Sequence, residues 1–196
     1  GANLTLTGAL SVDGASATIK LDGNYPTGTG NVALGDAALS SGSLSGGNNT
    51  VIGRSVGAAN TSGADNTGVG SFSLCANISG DLNTAVGRSA LRANTTADNN
   101  TAIGSYALHD TTSGYYNIAV GQQAGANITT GFSNIAIGIG ALQYLTTSNT
   151  NVAIGQNSGY NTTSGENTFV GAYSGRYNTT ASYSAALGYQ ALQGVS

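Results

Sequence analysis

Charge is what this sequence most lacks. Only 7% of its 196 residues are charged, five basic against eight acidic, for a formal net charge of -3. Ordinary globular domains carry about 25% charged residues, so the expected surface is neutral and rich in hydroxyls and amides. So few basic residues form no patch for a phosphate backbone, which argues against nucleic acid as a partner. Proline and cysteine occur once each, and methionine and tryptophan not at all. The lone Cys75 permits no intrachain disulfide and reads as a small filler, so stability must come from stacking or association. No run of about 18 apolar residues exists, which argues against membrane insertion. The first residues also lack the charged-then-apolar pattern of a signal peptide. Disordered chains usually combine low hydrophobicity with high net charge and lack periodicity; here the net charge is small and the periodicity is strong.

That periodicity is a five-residue phrase, Asn-x-small-aliphatic-Gly, found ten times. The phrases end at Gly35, Gly53, Gly70, Gly87, Gly104, Gly121, Gly138, Gly155, Gly171 and Gly188, with steps of 18, 17, 17, 17, 17, 17, 17, 16 and 17 residues. A regular period of this length marks a solenoid in which each repeat is one coil stacked on the next. The expected fold is all-β: a parallel β-roll of about ten coils, with helix essentially absent. Seventeen residues leave room for two strands of about five residues and two turns per coil.

The phrase itself reads as a strand. Its second position is β-branched in nine coils of ten, and its fourth is aliphatic in all ten: Leu34, Ile52, Val69, Val86, Ile103, Val120, Ile137, Ile154, Val170 and Leu187. Second and fourth positions share a side of a strand, so this aliphatic column is expected to line the interior. The third position, mostly alanine, is then expected to form a flat outer face that another backbone can approach. Asparagine opens nine phrases, at Asn31, Asn49, Asn66, Asn83, Asn100, Asn117, Asn134, Asn151 and Asn167. Stacked at about 4.8 Å per strand, these amides are expected to hydrogen-bond up the column as a ladder. Four residues after each phrase glycine stands leucine or glycine, which suggests that a second short strand adds a core side chain in some coils only.

The NTAIG, NIAVG and NVAIG phrases, each followed by a small residue and then Leu or Gly, resemble the left-handed parallel β-roll repeats of trimeric autotransporter adhesin heads. They resemble still more the repeat arrays of bacteriophage tail fibres. The resemblance covers about residues 31–192. It implies a parallel homotrimer, an extracellular or virion location, and a role in attachment to a cell surface.

Residues 1–30 differ from the rest. Leu4, Leu6, Leu10, Val12, Ala17, Ile19 and Leu21 alternate with polar residues and are broken by Gly8, Asp13-Gly14 and Asp22-Gly23. They read as short strands with tight turns, leading through a junction at Pro26 into a repeat rod over 31–196.

Chemistry is sparse, and the chain reads as a non-enzyme without cofactor or metal. The acids lie mostly a coil or more apart, too dispersed for paired-carboxylate catalysis. Asp65, Asp81 and Asp98 fall one or two residues before the phrase Asn on consecutive coils, and a solvated polar edge suits them better than calcium, which wants six to eight oxygens. His109 has no recognisable partner spacing. Nine N-x-S/T sequons, among them Asn60, Asn77 and Asn94, follow from the composition alone. Nine of the ten tyrosines lie from Tyr106 onward; Tyr115, Tyr116, Tyr144, Tyr160, Tyr173 and Tyr177 are candidates for stacking on a host-surface glycan, with coil-edge packing as the plainer alternative.

A rival to the fibre segment is a subunit of a self-assembling extracellular filament. The last coil, Ser184 to Leu192, is followed by four residues, and solenoid ends normally need covering. The N-terminal strands of a next copy are one expected cover, by β-augmentation.

Overall fold

The computed structural model describes residues 30–193, so the expected strands of residues 4–21 lie outside the described residues. The ten phrases become ten three-residue strands: β1 (Val32–Leu34), β2 (Thr50–Ile52), β3 (Thr67–Val69), β4 (Thr84–Val86), β5 (Thr101–Ile103), β6 (Ile118–Val120), β7 (Ile135–Ile137), β8 (Val152–Ile154), β9 (Thr168–Val170) and β10 (Ala185–Leu187). They form one parallel sheet in chain order. Each phrase position pairs with the same position one coil on, even across the 18- and 16-residue steps, as in Val32 with Thr50 and Val152 with Thr168. The chain is a parallel β-solenoid of about 17 residues per coil, with no helix among the described residues.

The inside and outside of the strand are opposite to the sequence expectation. Ala85, Ala102, Ala119, Ala136 and Ala153, at the third position, are fully buried or within 1% of it, whereas Ile52, Ile103 and Ile154 are 38–41% exposed. The column Leu34, Ile52, Val69, Val86, Ile103, Val120, Ile137, Ile154, Val170 and Leu187 therefore lies on the outer face, half-buried or exposed, and the alanines form the core. Strand alternation separates two faces without saying which is buried when both are apolar. Wall separation decides it. From Gly87 to Gly138 the residue three after the phrase glycine, Ala90, Ala107, Ala124 or Ala141, packs into the same cluster as the strand alanines. In these coils two walls that meet through methyl groups leave no space for opposed Val or Ile; Val51 and Val56 are both buried only where Gly68 stands at the third position of the next strand.

The second wall is not a strand. The glycine carbonyl accepts the N–H three residues on (Ala107 N to Gly104 O, 3.2 Å), and a second turn follows (Asn94 N to Leu91 O, 3.2 Å). Between these turns the backbone bonds the next coil, as in Leu91 N to Ala107 O at 3.0 Å. Its leucines are indeed core: Leu74, Leu91, Leu108 and Leu142 are buried, yet each sits at φ 48. A left-handed backbone costs a non-glycine residue about 1–2 kcal/mol, and burying a leucine contributes about 1.5–3 kcal/mol in return. Glycine takes the same conformation freely but leaves space. A larger neighbour then fills it: a Cβ on Gly125 would meet Ile128 Cδ1 at 3.0 Å, and one on Gly175 would meet Phe169 Cδ1 at 2.5 Å. This is why leucine and glycine alternate at one register position.

The phrase glycine is required for another reason. At Gly121 φ is 134, and a Cβ there would lie 2.6 Å from the carbonyl oxygen of Gly138 in the coil above.

One buried group is left over. Thr162 is fully buried, and its Oγ1 has no hydrogen-bond partner among the described residues. The equivalent Thr111 Oγ1 donates to Ile128 O at 2.8 Å, and the two intervening coils carry Ile128 and Leu145 at that position. Thr162→Val should therefore raise the unfolding free energy by about 1 kcal/mol, since an unsatisfied buried hydroxyl costs about 1–3 kcal/mol. A rise in the melting midpoint followed by far-ultraviolet circular dichroism would show it; an unchanged or lower midpoint would mean the hydroxyl is satisfied.

Candidate functional site

Positions one and three of each phrase point inward, so the asparagines share the core with the alanines. All from Asn49 to Asn167 are 0–3% exposed. Each Oδ1 accepts the backbone N–H of the asparagine one coil on: Asn66 to Asn49 at 3.0 Å, Asn100 to Asn83 at 3.0 Å, Asn117 to Asn100 at 2.9 Å and Asn151 to Asn134 at 3.0 Å. From Asn31 to Asn134 each Nδ2 also donates to a backbone carbonyl of the next coil, for example Asn100 to Gly114 O at 2.8 Å. The ladder is thus mainly side chain to backbone, with amide–amide bonds of 3.1–3.3 Å at several rungs.

A second ladder escaped the sequence reading. Asn60, Asn77 and Asn94 are 0–2% exposed, and Asn94 Nδ2 donates to Asn77 Oδ1 at 2.8 Å. These amide nitrogens also bond carbonyls three residues on, so their sequons are closed to modification in the folded chain. Their 17-residue spacing was the available signal, masked by the glycosylation pattern.

The acidic column is also structural. Asp98 Oδ1 accepts the Asp81 N–H at 2.8 Å, and Asp81 Oδ1 accepts the Ala64 N–H at 2.7 Å. Asp65 accepts the Asn48 amide at 3.1 Å. Among the described residues no group of three His, Cys, Asp or Glu side chains comes together. His109 does have a partner that spacing did not suggest: its Nδ1 lies 2.6 Å from Asp110 Oδ1, with the Tyr106 ring 5.2 Å away.

The candidate tyrosines do not form one surface. Tyr115 and Tyr116 stand in the turn before β6, where Tyr115 stacks on Phe132 at 4.9 Å with 1° between the rings. Tyr144, Tyr160, Tyr173 and Tyr177 stand in the turns after the strands. There Tyr144 meets Tyr160 edge-on at 5.0 Å. The Arg176 guanidinium carbon lies 5.1–5.7 Å from the ring centres of Tyr160, Tyr173 and Tyr177. Arg54, Arg88 and Arg92 likewise sit over Phe72 or Tyr106, so every described arginine engages an aromatic ring. The Tyr160 hydroxyl is held above its ordinary pKa of 10.0, first by its hydrogen bond with Tyr144, then by burial and the Tyr144 charge, against an opposing pull from Arg176.

Two surface features remain. One is the outer face of the sheet, where Thr50, Thr67, Thr84, Thr101, Ile118, Ile135, Val152 and Thr168 run beside the aliphatic column, with no charged side chain in either row from β1 to β10. Nine steps of about 4.8 Å make it roughly 43 Å long. The other is an open groove of about 450 Å³ in the turns before β7 to β10, lined by Phe132, Asn149, Thr150, Glu166, Ser182, Tyr183 and neighbouring backbone. The neighbouring Glu166 carboxylate raises the Tyr183 pKa above 10.0, first through hydrogen bonding and then through its charge.

No protein-family model, curated protein or solved structure matches this chain. The class rests on the fold itself, a parallel β-solenoid whose most extensive feature is an uncharged outer sheet face. No described helix is long and apolar enough to cross a membrane.

Proposed function

We propose that the chain is a structural, non-enzymatic fibre segment, working as a parallel homotrimer at an extracellular or virion surface and serving in attachment to a cell. The observation that supports this is the outer sheet face. Two rows of half-exposed Thr, Val, Ile and Leu run the length of the rod without a charge, and extended apolar faces of this kind mark interaction surfaces. A face that repeats at every coil is matched by a partner with the same repeat, and a second copy of this chain has that repeat by construction. The surface for association is thus the β-branched face rather than the alanine column. The phage-fibre and adhesin repeats that the phrases resemble favour three copies over two.

The test is the mass in solution. Sedimentation equilibrium should give three chains of 19.2 kDa each. The double variant Val86→Lys, Ile103→Lys should give folded monomers, because two lysines per chain would be buried without partners at the contact. A stable, folded monomer of the unsubstituted chain would sink the proposal.

The second reading is a subunit of a self-assembling filament, in which strand edges of successive copies pair end to end. Electron microscopy of the purified protein separates the two: end-to-end fibres support the filament, and discrete rods support the trimeric segment.

A further inference from the structure

We propose that the groove in the turns before β7 to β10 binds a neutral oligosaccharide, so that attachment is made through the side of the rod. This rests on the attachment reading above and gives it a location and a ligand class.

The groove is a local departure from the repeat. From Gly155 to Gly171 the coil has 16 residues instead of 17. Two residues before each phrase Asn, successive coils carry Asp81, Asp98, Tyr115, Phe132 and Asn149, and then Gly165. The side-chain row that covers this edge is interrupted at Gly165, which floors the groove with backbone. A Cβ on Gly165 would lie 2.8 Å from Asn149 O, so the gap is not readily refilled by a side chain at that residue.

The walls suit a sugar. At one end Phe132 presents a ring held flat against Tyr115. At the other stands Tyr183, 83% exposed, which lines the groove together with Glu166. Aromatic faces at both ends offer stacking area for the C–H faces of pyranose rings. Between them the lining includes Asn149, Thr150, Glu166 and Ser182. The Asn149 Oδ1 already accepts the Phe132 N–H at 2.9 Å, which leaves its amide hydrogens to donate. A carboxylate accepts strong hydrogen bonds from paired hydroxyls. With no basic residue among the lining side chains, the same carboxylate disfavours sulfated, phosphorylated or sialylated chains. Three coil steps of about 4.8 Å give a length of roughly 14 Å, longer than one ring. The volume of about 450 Å³ falls within the range of about 300–1,000 Å³ usual for ligand sites.

The test uses the full chain in its native assembly. Isothermal titration calorimetry is run with four neutral hexasaccharides (maltohexaose, cellohexaose, mannohexaose and chitohexaose) and with hexameric hyaluronan as the anionic counterpart. At least one neutral probe should bind, and hyaluronan should not. Tyr183→Ala and Glu166→Gln should each weaken that binding about tenfold, as loss of one stacking face or one charge-assisted contact implies. Both residues are exposed, so both variants are expected to keep the parent melting midpoint, measured alongside. No binding by any neutral probe at millimolar concentration would overturn the proposal, as would unchanged affinity in both variants or preference for hyaluronan. A failure here with trimers still observed removes the groove ligand alone; monomers that still bind remove the trimer alone.

Discussion

Asn100→Ala should destabilise the rod by about 3–5 kcal/mol, even though it deletes a small polar side chain from a protein with many asparagines. Asn100 is fully buried. Its Oδ1 accepts the Asn117 N–H at 2.9 Å, and its Nδ2 donates to Gly114 O at 2.8 Å and Asp98 O at 3.2 Å. Alanine leaves a backbone donor and two carbonyls to find other partners in a space closed to water, at about 1–3 kcal/mol per unsatisfied group. The loss falls mid-rod, where coils are stabilised through their neighbours, so the interface between the coils of β5 and β6 should open first. Hydrogen exchange should show it, with the protection of the Thr101 and Gly121 amides, which bond Asn117 O and Ile103 O across that interface, falling before that of the Asn66 amide. Asn100→Asp makes a sharper comparison. It sets a carboxylate oxygen against the Gly114 carbonyl, and burial raises the aspartate pKa in the folded state. A raised folded pKa means that stability is greatest below the unfolded pKa and is lost as pH rises through the folded one. Asn100→Asp should therefore be relatively more stable in acid than at neutral pH. Equal stability of Asn100→Ala and the parent would show that the ladder carries no weight.

Phe169→Ala should cost about 3–5 kcal/mol by opening a cavity that nothing nearby can close. Phe169 is fully buried at a position where five other coils carry buried alanine, and it fits because Gly159 and Gly175 flank it. A Cβ on either would lie within 3.0 Å of the ring. The matched variant Phe169→Ala, Gly159→Leu, Gly175→Leu restores the pattern of the regular coils and should regain part of the loss, reduced by the strain of leucine at φ near 60. Chemical denaturation of the three proteins would measure this. A triple variant no more stable than Phe169→Ala would show that volume exchange between neighbouring coils does not operate.

Much of the architecture was legible because it repeats. One phrase seen once is ambiguous between strand and turn. Seen ten times at a near-constant step, it specifies coil number, strand position and parallel in-register stacking, since in-register stacking at every coil places like on like. The asparagine column was legible for the same reason: a residue type that returns at each coil, with no charge to repel its copies, is positioned to bond to itself.

The sequence alone could not assign the faces. Alternation of Thr and Ile with Ala describes two sides of a strand equally well turned either way, and the usual weight given to Val and Ile as core residues pointed to the wrong one. The distance between the two walls decided it, and that distance depends on the second wall. There the left-handed residues at Leu91 and Leu108 fold the return segment into tandem turns, close enough that methyl groups fill the gap. The tyrosines were distributed between two turns by the same closure, and the groove at Gly165 appeared only once a missing residue was placed in three dimensions. Periodicity along the chain determined the order of the coils, whereas the thickness of the interior, which no single repeat encodes, decided what faces in, what faces out and where a partner can dock.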